Sequence, residues 1–103
     1  MTDAEINRAI TKEVLGWRLV HYSPMDGKDY WSHPGGMAPT PDYLTWDGFG
    51  LLWEALVLAG RKPALTYNGV LVDGAPVVWI IGNRTPQRAL MLAAASAYGM
   101  EGV

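Results

Sequence analysis

The residues best suited to chemistry in this sequence are arginines and aromatic rings placed near helix starts. In GNRTPQR, residues 82–88, Arg84, Thr85 and Arg88 surround the opening of a helix. First-turn N–H groups have no intrahelical acceptor, and a guanidinium can bond two oxygens of a phosphate or carboxylate at once. The run lacks the glycines and lysine of a phosphate-binding loop, so an ordinary Thr-Pro cap with two solvated arginines is the competing account. A second set lies in PTPDYLTWDGFGLLWEAL, residues 39–56, where Tyr43 and Trp46 precede Gly48 and Gly50 at a helix entrance. Glycine lets a backbone approach a ligand closely, and an aromatic face stacks on a planar ring. Alternatively, the glycines relieve crowding under bulky side chains, with Phe49 and Trp53 belonging to the core. A third set, Trp17, Arg18, Tyr22, Lys28, Tyr30 and Trp31, combines stacking surfaces with cations.

No comparable set supports catalysis. His21 and His33 are separated by glycine and proline turns, no His-x-x-x-His or His-x-x-Glu pair exists, and Ser23, Ser32 and Ser96 sit in no nucleophile-elbow sequence. The expectation is binding without turnover: no catalytic residue, no metal and no cofactor. Candidate ligand-binding residues are Trp17, Arg18, Tyr30, Trp31, Tyr43, Trp46, Arg84, Thr85 and Arg88.

The elements that must hold these residues follow from local signals. Thr2 and Glu5 form a capping-box pair, and Ile6, Ala9, Ile10 and Val14 then share one helical face until Gly16. WRLVHY, residues 17–22, is β-prone, and a short strand around 29–32 closes a hairpin through Asp26-Gly27. The remaining proline- and glycine-rich residues up to Tyr43 read as a long ordered loop. The second helix starts at Thr45 or Asp47 and stops at Gly60, with apolar residues on two faces. Residues 64–81 predict a hairpin, a strand over 65–72 pairing with one over 76–81 through Asp73-Gly74, with Asn68-Gly69 as the rival turn. VVWII lacks polar alternation, which predicts a strand covered on both faces by helices. Thr85-Pro86 opens an alanine-rich helix that ends at Gly99. The expected fold is α+β, an α-β-α layered sandwich with a small, mainly antiparallel sheet and three helices, in one domain over 1–103.

Half of the residues are apolar and only 17% are charged, which leaves apolar surface for a partner. Helices two and three carry more of it than one small sheet can cover, so a homo-oligomer is expected. The net charge is −2 and the eight Lys and Arg are dispersed, which argues against polymeric nucleic acid. There is no cysteine, the charged N-terminal segment does not read as a secretory signal, and the apolar run 89–100 is shorter than the ~20 residues that span a bilayer. These features predict a cytoplasmic protein with no membrane association.

The element order, together with EINRAITKEVLGW, PDYLTWDGFGLLWEAL and RTPQRALMLAAASAYG, resembles the phage ABA-sandwich domain family over residues 6–99. The likeness rests on Gly16-Trp17, Trp53-Glu54 and Thr85-Pro86. It implies a small bacteriophage protein of α-β-α layered fold and brings no catalytic residue with it. The chain departs from the family pattern at Trp46-Asp47-Gly48-Phe49-Gly50, where a plainer helix entrance is expected. Combined with the aromatic and arginine sets, the resemblance leads to an expectation of an anti-defence protein in the host cytoplasm that sequesters a small anionic, nucleotide-like host immune signal. Two rivals remain: a module that binds a host or phage protein through its apolar helices, and a small nucleotide hydrolase using His21 or His33.

Overall fold

The computed structural model describes residues 2–82 and 84–100; Asn83 of the GNRTPQR run lies outside them. The chain is an α+β protein of three helices and two three-stranded antiparallel sheets. Helix α1 (Asp3–Glu13) opens on the expected capping box, with the Thr2 side chain accepting from the Glu5 N–H and the Glu5 carboxylate accepting from the Thr2 N–H. Gly16 follows at φ +71°, the left-handed stop that sets Trp17 at the start of the first sheet.

That sheet runs β1 (Arg18–Ser23), β2 (Lys28–His33) and β3 (Gly36–Pro39) in sequential order. Asp26-Gly27 closes the first hairpin as expected, with Gly27 at φ +69° and its N–H donating to the Ser23 carbonyl over 2.8 Å. Strand β3 corrects the reading of this region as loop. Its glycines and Pro39 suggest breakers, yet it pairs with β2 from Gly36 to Pro39. An edge strand has a free side on which a missing N–H disrupts no ladder.

Helix α2 (Trp46–Leu58) is capped by Thr45, whose side chain accepts from the Gly48 N–H at 3.0 Å. The second sheet runs β4 (Ala64–Leu65), β5 (Gly69–Leu71) and β6 (Val78–Trp79). The strand expected over 65–72 is broken, because Thr66 turns back to the Gly69 carbonyl through both its N–H and its hydroxyl. Both turn signals are therefore used. The expectation that VVWII is covered on both faces is also overturned. Val78 and Ile80 point partly inward, whereas Trp79 and Ile81 are 52% and 66% exposed. Alternation is present in burial and hidden in sequence because the outward side chains are apolar too. Three helices with small antiparallel sheets nonetheless make the layered α+β arrangement expected from the sequence.

Helix α3 (Pro86–Ala97) is the hub and packs against α1, α2, β5 and β6. Ala89, Ala93 and Ala94 are fully buried and let neighbouring elements come close, while Leu90 and Met91 join Ile10, Leu52, Leu56 and Val70 in one buried cluster. Arg88 grips the Asp3 carboxylate through two bonds of 2.9 and 2.7 Å, tying the start of α3 to the start of α1. Among the described residues no helix is long and apolar enough to cross a membrane.

Candidate functional site: a basic aromatic hollow

Side chains of the first sheet and of α1 meet at one seam. Leu19, Trp31 and Ala38 are direct cross-strand partners and so share one face. Asp29, two residues before Trp31, is on that face as well, and its carboxylate meets the Arg8 guanidinium at 2.7 Å. At this seam lies an open hollow of about 350 Å³ lined by Arg8, Lys12, Trp17, Arg18, Leu19 and Trp31. Arg8 and Lys12 are one helical turn apart on α1 and reach the same side. Gly16 ends the helix and hands Trp17 and Arg18 to the opposite rim.

Each ring is held in place. Trp31 is almost wholly buried and forms the floor, with its indole N–H donating to Thr40 Oγ1 at 2.7 Å. Trp17 stacks on His33 with ring centroids 4.4 Å apart and planes 20° from parallel, and His33 Nδ1 accepts from the Gly35 N–H. His33 thus anchors a turn and a tryptophan. Three cations surround the hollow, and the Asp29 carboxylate offsets Arg8. Lys12 and Arg18 make no ion pair among the described residues. A chain of net charge −2 therefore has one corner where positive charge and indole surface coincide. Such a corner suits a small anion that carries a planar ring.

The structure brings together Trp17, Arg18 and Trp31 of the sequence-predicted residues and separates the rest. Tyr30 points to the other face of β2, where its hydroxyl donates to Asp26 at 2.8 Å and its ring meets His21 edge-on. That bond raises the Tyr30 phenol above its usual range and lowers the Asp26 carboxyl. Tyr43 is fully buried. Thr11 donates to the Asn7 carbonyl at 2.7 Å, which makes the Tyr43 hydroxyl the donor in its 2.7 Å bond to Thr11. Burial pushes that phenol far up. Trp46 stands exposed on α2, away from the hollow's lining residues.

Arg84, Thr85 and Arg88 do not converge. Thr85 spends its oxygen on capping α3 by accepting from the Arg88 N–H. Arg88 is engaged by Asp3, which raises the guanidinium's pKa and lowers that of the carboxyl. Arg84 donates to the Trp79 carbonyl at 3.0 Å and lines a separate cleft with Trp79, Leu92, Ser96 and Met100.

Arg8 and Lys12 are the site residues that sequence reasoning missed. Their four-residue spacing is the available signal, but on an amphipathic helix it reads equally as a solvated polar face. Comparison of the chain with models of known protein families, with curated proteins and with solved structures finds no match, so the hollow is interpreted from its own geometry.

Proposed function

We propose that the protein is a non-enzymatic binding protein that retains a small anionic, nucleotide-like ligand in the hollow between α1, β1 and β2. The observation that carries this reading is the meeting of Arg8, Lys12 and Arg18 with Trp17 and Trp31 around one recess. Cations at the rim would take the phosphate or carboxylate, and the half-buried Trp17 indole would take the ring above the Trp31 floor. Retention needs affinity without bond breaking, and no chemical step is required of these side chains. The resemblance to the phage ABA-sandwich family supplies the setting: a small bacteriophage protein in the host cytoplasm that withholds a host immune signal as an anti-defence measure.

Isothermal titration of the purified protein with mononucleotides, dinucleotides and cyclic nucleotides tests the proposal. At least one class is expected to bind, to perturb tryptophan fluorescence, and to bind about tenfold or more weakly to Arg18→Glu, as the loss of a cation and gain of a like charge demand. Arg84→Glu is expected to bind normally, since Arg84 belongs to the other cleft. Absence of both heat and fluorescence change across the panel would sink the reading.

A further inference from the structure

Helix α2 has an outer surface that the described residues leave uncovered. Its buried stripe is Gly48, Leu52 and Leu56, which face the core. Another stripe, Trp46, Gly50, Trp53 and Val57, recurs at intervals of four, three and four residues, the spacing of a seam between two packed helices. Trp46 is 62% exposed and Val57 53% exposed. Phe49 braces both tryptophans, edge-on to Trp46 at 5.3 Å and stacked on Trp53 at 5.8 Å, so the rings form a fixed relief.

The two glycines at this entrance have different causes. A Cβ on Gly48 would collide with the Asp42 carbonyl and lie 2.8 Å from the Tyr43 Cα, so close backbone packing requires glycine there. A Cβ on Gly50 would meet nothing within 4 Å. Glycine inside a helix costs ~1 kcal/mol relative to alanine, and at position 50 nothing among the described residues requires it. What it provides is a notch beside Trp53, in a groove completed by Phe49, Ala64 and Leu65.

We infer that this face is the interface of a homodimer in which two α2 helices pack antiparallel about a two-fold axis. The stripe is self-complementary in that arrangement. A two-fold placed midway between Gly50 and Trp53 sets Trp53 into the Gly50 notch of the partner subunit and Trp46 against Val57 of the partner subunit, large against small at every layer. Charge matches as well. Asp42 and Asp47 lie at the start of α2, while Arg61 and Lys62 lie just past its end. The antiparallel arrangement brings the acidic end of one helix to the basic end of the other, and it opposes the helix dipoles. A parallel pair would set acid beside acid and base beside base.

Sedimentation velocity of the full chain over a micromolar concentration series reads the outcome. The wild type is expected to sediment as a dimer, and Val57→Glu as a monomer with an unchanged circular dichroism spectrum, because Val57 is exposed. Asp47→Lys and Lys62→Asp are each expected to weaken the dimer, and their combination to restore it, a rescue that only antiparallel pairing supplies. A wild type that stays monomeric, or a dimer indifferent to Val57→Glu, overturns the inference. So does a double charge reversal that leaves the dimer as weak as the single ones.

Discussion

Tyr43 shows how one side chain can offer a polar handle and still serve only the core. Its hydroxyl donates to Thr11, whose own proton goes to the Asn7 carbonyl, so the pair forms a short directed chain beneath the α2 entrance. Tyr43→Phe is expected to leave Thr11 one donor short and to lower stability by about 1 kcal/mol in urea unfolding. The same residue sets an alkaline limit. Burial raises its phenol above the ordinary value of 10.0, because ionisation in the core is unfavourable. The stability linked to that raised pKa is fully present below the unfolded value and is lost as pH rises above it, since the unfolded chain releases the proton more readily. The wild type is expected to lose stability above about pH 10 more steeply than Tyr43→Phe, measured as urea midpoints over an alkaline series. Adjacent rings illustrate what residue type conceals. Tyr30 and Trp31 are equally plausible ligand residues in the sequence, but a strand sends neighbours to opposite faces, and only its register against β1 and β3 assigns Trp31 to the hollow.

The helices were legible because their boundaries are decided locally. Thr2 with Glu5, Thr45, and Thr85 with Pro86 each cap a helix by contacts within a few residues, and Gly16, Gly60 and Gly99 all take positive φ. The strands were harder because their pairing is not local. Strand β3 is concealed by its glycine and proline content, and the segment after Ala64 carries two rival turn signals, both of which are used once Thr66 bonds back to Gly69. The α2 entrance lies between these cases. Its cap was readable, but the causes of its two glycines depend on what approaches them in space. Gly48→Ala is expected to cost ~1–3 kcal/mol by forcing backbone apart. In a monomeric Val57→Glu background, Gly50→Ala should instead stabilise the helix by up to ~1 kcal/mol. Paired urea denaturation curves separate the two, and a loss at position 50 as large as that at position 48 would mean that the chain itself needs that glycine.

At the scale of the whole molecule, the hollow and the α2 seam draw on different residues. Every lining residue of the hollow comes from α1, the Gly16 turn, β1 or β2, so one chain completes it. The seam uses one face of α2 and the charged positions beyond its ends. Binding and dimerisation are therefore expected to be separable. A dimer should take one ligand per chain, and monomeric Val57→Glu should bind with unchanged affinity, both read by titration calorimetry. Rising salt should weaken binding, because Lys12 and Arg18 act from an exposed rim where ions screen them, while the stacking contribution of Trp17 persists. Lys12→Glu should reduce affinity without shifting the urea midpoint appreciably, since an exposed helical lysine away from the core carries little stability. One ligand per two chains, or loss of binding on dissociation, would instead require the site to span the two subunits and would exclude a hollow completed by a single chain.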